Sequence, residues 1–552
     1  MVTWQYHHYD KGMNKRMGHG KSGRMYTPVL AVGMILALLL SASCSGNSSP
    51  SAAGDAGTSA PGGKPESKPP DNKQPDGKPQ EPLEIQMTAR LFEEVPNMDN
   101  AYWKEFMKRT NTKLNIEWIP DGDYTTKLNL ILASGSIPEV LVINNLKHPP
   151  VVNAVKNGAF WDLTPFLGDF SKYPNLKNFS APEAWVTSRI LGKNYVIPKN
   201  RPQLSGGPKI RKDWLDKLGI PMPQTLDEYR SALKKIVDAD IDGNGKKDTI
   251  GLVSKASLFT GSAGGFGDAF GMGKPTFNQE GGLIYETLTP QYAELVAWLR
   301  DLYADGILAK EFSVMKPTQA VELFEAGKAA SLVNESFRWD YIFMGNIKKV
   351  QPEAIVDTVP PLQGPGGYAV RYSTGVDGAF LISKKVPEEK VKRILDFLEL
   401  TNSKEYYDFT VNGIEGVHFN KVNGEIVLTD QHKKEVGSTS PWQPIALYYD
   451  KYGKLTTPAA PKEYNDAKIK QVEAQGYFQK GIISPFSVID SPTWLATWPK
   501  FQQEWTSMSV KAIVGQISLD DYKAYVKKVN DDPNIKKAYQ EFAKDYKETF
   551  GK

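Results

Sequence analysis

From Leu83 onward about 470 residues run without a low-complexity break, more than a single hydrophobic core serves, so the folded part must divide into two lobes. Within it, apolar periodicity switches repeatedly between the strand and the helix repeat. LEIQMTARL (83–91) alternates as a strand, Asn100 to Thr110 sets Tyr102, Trp103, Phe106 and Met107 at helical spacing, and LNIEWI (114–119) returns to alternation. A helix over 124–133 is stopped by Ser134-Gly135-Ser136 ahead of the apolar run EVLVI (139–143). This predicts an α/β chain with helices flanking a sheet. At Asn194 to Pro198 an apolar strand runs into a proline, and the pattern restarts with IRKDWLDKLGI and a helix over 225–238, which places the first crossing between lobes here. Helices follow over 289–305 and 318–326, then a strand (379–382) and a helix (388–400) that belong back with the first lobe, and a largely helical stretch from Lys462. The N-terminal lobe is expected over 84–197 plus 376–410, and the C-terminal lobe over 198–375 plus 411–552.

Ahead of the lobes, basic residues (Lys15, Arg16, Lys21, Arg24) precede an apolar run from Val29 to Leu40 and then Ser41-Ala42-Ser43-Cys44, the layout of a signal peptide over 1–43. As a helix that run spans only about 18 Å, short of the ~30 Å hydrocarbon core, so it reads as an export signal and not a permanent span. Cys44 is the one cysteine in 552 residues, so no internal disulfide can form and stability must come from the cores. Residues 45–82 are Ser, Gly, Pro, Lys, Asp, Glu, Asn, Thr and Gln with alanine as the only apolar type, and read as a disordered tether.

The formal charge of +4 resides in the signal: residues 1–43 hold five Lys/Arg and one Asp, which leaves the remainder neutral. Nucleic-acid binding, which needs clustered positive excess, is therefore not expected. Only His148, His418 and His432 lie beyond residue 43, a poor supply for histidine catalysis or a multi-histidine metal site.

The most explicit motif is Asp240-Ile-Asp242-Gly-Asn244-Gly-Lys246-Lys-Asp248. Oxygens at alternate positions with glycine at the sixth let a loop wrap a hard cation, so Asp240, Asp242, Asn244, the Lys246 carbonyl and Asp248 are candidate Ca2+ ligands. The twelfth position, glutamate in a full EF-hand, is Gly251, and the alternative is an ion-free Asx/Gly turn.

The stretches LASGSIPEVLVI, NGAFWDLTPFL, IRKDWLDKLGIPMPQTLDEY, DADIDGNGKKDTIGL, FEAGKAAS and VPEEKVKRILDFLE, in this order across almost the whole chain from Leu83, resemble the extracellular solute-binding proteins of family 1, in the subgroup with alginate-binding receptors. The resemblance implies a two-lobed type II periplasmic-binding-protein-like fold with an interlobe cleft and hinge, an oligosaccharide or related solute as ligand, and delivery to the permease of an ABC importer. It also implies a structural Ca2+ loop and lipid modification of Cys44, hence a monomeric lipoprotein on the extracellular face of the cell membrane. Sugar recognition needs flat apolar faces and planar polar groups, and the candidates in loops are Trp185, Phe266, Phe270, Trp339 and Trp442, with Arg338, Asp340 and Asp377 for hydroxyls or a uronate carboxylate. Trp103, Trp214 and Trp298 are assigned to packing, the commoner fate of a tryptophan. No nucleophile elbow, metalloprotease helix or phosphate loop is present, so no enzyme is expected. Peptide binding, presentation to a sensor and a purely adhesive role remain the alternatives.

Overall fold

The computed structural model describes residues 81–551, except 205, 244, 255–257, 259–262, 334–335, 438–439 and 458–459. The expected signal peptide, Cys44, nearly all of the tether, and Asn244 lie outside the described residues.

In chain order the strands are β1 (Leu83–Leu91), β2 (Thr112–Pro120), β3 (Val140–Ile143), β4 (Val196–Asn200), β5 (Lys209–Arg211), β6 (Ile250–Ser254), β7 (Ala329–Val333), β8 (Val356–Thr358), the two-residue β9 (Gln363–Gly364), β10 (Gly367–Tyr368) and β11 (Arg371–Tyr372), then β12 (Val376–Ile382), β13 (Phe419–Val422), β14 (Glu425–Leu428) and β15 (Ile482–Ile483). Two mixed sheets result, in the orders β2-β1-β3-β12-β4 and β6-β7-β5-β8.

The centre of the first sheet is covered on both faces, which is why β3 (VLVI) and the AFLI end of β12 are apolar at every position. Val140 and Val142 of β3, with Phe380 and Ile382 of β12, join one core with Tyr102, Trp103 and Phe106 of the helix Ala101–Thr110. Leu141, Ile143, Ala379 and Leu381 point into a second core with Leu128, Ile131 and Val151. The helix Ala101–Thr110 starts where the Asn100 side chain accepts from Trp103 N–H. Val436, Ile445, Ala446 and Leu447, expected with the second lobe, pack into the first of these cores.

The second sheet carries the helix Leu226–Asp238 on one face, its N-terminus fixed by a Thr225/Glu228 capping box. Leu226, Tyr229, Leu233 and Ile236 of that helix share a core with Tyr292, Val296 and Leu299, and with Trp505, Tyr522, Tyr539 and Phe542 from the C-terminal helices. Phe324 and Phe343 cover the other face, packing with Leu332 of β7. The chain passes between the two sheets after Asn200, after Thr358 and after Leu447. Where these passages meet, a smaller cluster gathers Leu204, Phe337, Val370, Leu455, Val472 and Tyr477. Beneath it Asp340, fully buried, lies 3.3 Å from Lys209 Nζ and 3.1 Å from Lys468 Nζ.

Candidate functional site

Parallel pairing aligns β1 with β2 and β3, and β12 runs antiparallel to both β3 and β4, so β1 to β4 all end at one edge of the first sheet. The same reasoning brings the ends of β6, β7 and β8 to one edge of the second. Since 201–208 runs from the end of β4 to the start of β5, these two carboxyl edges are the ones that the crossings join. Open α/β sheets bind ligands outside such edges.

At the first edge Arg90 pairs with Asp121 (2.5 Å) and covers the exposed Phe92 ring, while Arg201 pairs with Asp377 (2.8 Å). A bulge between Val376 and Gly378 re-aims Asp377; Gly378 has φ of 146°, and a Cβ there would lie 2.4 Å from Ile143 O. Gln203 donates to Glu183 (2.6 Å) and accepts from Tyr449 (3.2 Å), and burial pushes the Tyr449 and Tyr372 hydroxyls up to about 12.

A groove of about 670 Å³ lies between first-lobe residues that follow β3 and residues of the C-terminal segment. One wall, from the loop after β3, the helix Pro149–Lys156 and the segment 186–192, presents Lys147, Asn153, Lys156, Val186, Arg189 and Leu191. The facing wall presents Asp490, Leu495, Asp545 and Glu548. Val186, Leu191 and Leu495 are 44%, 50% and 41% exposed, so the walls carry apolar side chains left open to solvent. The ionic groups are segregated by wall, cations on the first lobe and carboxylates on the second. Lys147 Nζ meets Asp490 Oδ2 at 3.2 Å across the groove. Burial raises the Asp490 carboxyl, Lys147 lowers it, and the adjacent Asp545 raises it.

None of the aromatic or polar candidates from the sequence lines this groove. Phe266 is a core residue, wholly buried against Tyr229 and Trp298, because left-handed Gly264 and Gly265 turn the chain so that the short helix Phe266–Ala269 inserts into the second-lobe core. Phe270 packs half-buried on Trp298. Trp185 is held in packing by its indole N–H to Leu176 O (2.8 Å) and by Phe170, while its neighbour Val186 reaches the groove. Trp442 lies edge-on to Tyr407, Trp339 is exposed, and Asp377 is engaged by Arg201. Arg338 is half-buried with no carboxylate at ion-pair distance among the described residues; burial pulls its guanidinium down and Tyr407 opposes. Asp340 is sequestered between two lysines and is a structural residue. Lys147, Arg189 and Asp490 belong to no motif, and loop charges give no sequence signal of their own.

In the Asp240–Asp248 loop, Gly245 N–H donates to Asp240 Oδ2 (2.9 Å), Lys217 Nζ donates to Ile241 O (2.8 Å), and Gly243 and Gly245 are left-handed. Among the described residues no three His, Cys, Asp or Glu side chains gather into a metal-holding group. Oxygen donors and the buried Thr249 Oγ1, which has no hydrogen-bond partner, nevertheless suit a hard cation. Gly251 cannot be replaced by the glutamate of a full EF-hand, because its Cβ would lie 2.8 Å from Ile307 O.

The family model for bacterial extracellular solute-binding protein matches residues 94–404. The polygalacturonan/rhamnogalacturonan-binding protein YtcQ of Bacillus subtilis is 31% identical over 406 residues, covering 71% of this chain and 73% of that protein. Lipoprotein LipO of Bacillus subtilis is 30% identical over 363 residues, 63% of this chain and 70% of that protein. The fold is shared with the crystal structure of alginate-binding protein AlgQ2 without calcium ion, at TM-score 0.59 and 16% identity over 85% of this chain and 98% of the other.

Proposed function

The chain belongs to the bacterial extracellular solute-binding proteins, the receptors that serve ABC importers, and from that premise we propose that it captures an oligosaccharide in the interlobe groove and delivers it to a permease. The observation that carries the reading is the groove itself, lying between two lobes and bounded by one basic wall. Among the described residues Lys156 and Arg189 on that wall have no ion-pair partner, and guanidinium and ammonium groups bind planar carboxylates well. Acidic oligosaccharides built from uronic acids are accordingly the first ligands to test, a choice that the similarity to a polygalacturonan/rhamnogalacturonan-binding protein supports. A ligand touching both walls stabilises closure through its higher affinity for the closed form.

Titration calorimetry of the full chain with oligogalacturonides, neutral galactans and peptides tests this. Binding of the acidic glycan is expected, weakened about tenfold by Arg189→Ala. Heat from peptides alone moves the assignment to a peptide receptor, and silence throughout overturns it.

The lobes divide at 83–200 plus 376–447 and 209–358 plus 462–551, a division supported by which core each segment enters. Similarity to a lipoprotein supports lipidation at Cys44 after removal of 1–43, which would tether the receptor, a monomer in this reading, to the extracellular face of the cell membrane. Ca2+ is held by Asp240, Asp242, Asn244, the Lys246 carbonyl and Asp248, and serves structure, since the loop follows a core helix and leads into β6. With ligands that form only in the native state, saturating Ca2+ at about 100 times its Kd is expected to stabilise the fold by about 2.7 kcal/mol, and Asp240→Ala should abolish the gain. Melting curves in Ca2+ and in EDTA that coincide would leave the loop an ion-free turn.

A further inference from the structure

Resting on the reading of the groove as the ligand site, we infer that its two walls form an electrostatic latch, in which Lys147 of the first lobe and Asp490 of the second hold the lobes together and must part for ligand to enter. The pair spans the groove at 3.2 Å with side chains only 26% and 31% exposed, so solvent screens it less than a free surface pair. The Asp490 backbone N–H donates to Asp545 Oδ2 at 2.7 Å, which holds the Asp545 carboxylate near enough for its charge to be felt at the Asp490 carboxyl. Lys147 is the cation that offsets them, and it comes from the opposite lobe. Opening therefore removes the counter-charge from an acidic pair, and leaves the second-lobe wall with Asp490, Asp545 and Glu548 facing Lys147, Lys156 and Arg189 at growing distance. Both lips beside the pair are apolar and partly open, Val186 and Leu191 on one side and Leu495 on the other, so closure also brings unsatisfied apolar surface together.

The lobe-to-lobe equilibrium is measured without any ligand, which separates this inference from the identity of the cargo. Dyes are placed at Lys108→Cys and Lys523→Cys in the full chain carrying Cys44→Ser, and single-molecule energy transfer reads the closed and open populations. Lys147→Asp and Asp490→Lys are each expected to raise the open-to-closed ratio about fivefold, 0.5 M NaCl should move the wild type in the same direction, and the double swap Lys147→Asp/Asp490→Lys should restore the wild-type ratio. Unchanged ratios in both single reversals, or a swap that opens the protein further, would overturn the latch. Retained far-UV circular dichroism identifies which variants are folded, and Lys147→Ala, with an expected shift of about twofold, serves if a reversal fails to fold.

Discussion

Asp340→Asn is expected to cost about 3–5 kcal/mol of unfolding free energy. The carboxylate is 1% exposed and stands between Lys209 Nζ at 3.3 Å and Lys468 Nζ at 3.1 Å, with Thr358 Oγ1 donating to it at 3.0 Å. Among the described residues Asp340 is the carboxylate at ion-pair distance from both ammonium groups, which are already taken out of water, and Gly207 O, Thr358 Oγ1 and Gln471 Oε1, which also accept from them, carry no charge. The cluster also joins β5, β8 and the helix Lys462–Ala474, so the loss falls where the crossings leave the second lobe. Urea unfolding followed by circular dichroism measures it. The apolar triple variant Lys209→Met/Asp340→Leu/Lys468→Met should recover most of the stability, because it removes all three charges together. A loss below about 1 kcal/mol in Asp340→Asn would show that the cluster is wet and weak.

Lys199→Met works in the opposite sense, with an expected gain of roughly 2–3 kcal/mol at pH 7. Lys199 is 4% exposed, its ammonium donates to Gln443 Oε1 (3.0 Å), and burial pushes that ammonium down to about 8, with Asp377 opposing. The folded value lies below the unfolded one, so between pH 8 and about 10.5 the unfolded chain holds a proton that the folded chain has released. Stability from this group therefore rises with pH across that window, and the advantage of methionine shrinks over the same range. Thermal melts of both forms at pH 7, 9 and 10.5 decide it: equal melting temperatures at pH 7 would mean that the ammonium is adequately solvated.

The sequence was legible where one rule dominates. LEIQMTARL and EVLVI are strands because alternation and full burial each have a distinct apolar pattern, and the helix at Leu226–Asp238 starts beside the Thr225 where its capping residues place it. Pro198 predicts the end of a strand, yet β4 continues to Asn200, because β4 is an edge strand and a missing N–H on its free side breaks no ladder. The site was less legible. Phe266 sits in a glycine-rich loop by composition and in a core by packing, a distinction that only tertiary contacts make. The groove is built from side chains more than three hundred residues apart, Lys147 and Asp490 among them, and no local spacing encodes such a meeting.

β12 belongs to the first sheet but is synthesised only after the strands of the second. Leu141 pairs with Leu381, a separation of 381 − 141 = 240 residues, and closing a loop of that length costs about 5 kcal/mol of chain entropy. The lobe that begins first is therefore finished last: its central strand lacks a neighbour, and its cores lack Phe380 and Leu381, until the whole second sheet has passed by. A chain synthesised from its N-terminus must spend that interval with β3 uncovered, so the order of assembly, more than the final packing, sets how long this fully apolar strand is exposed to other chains.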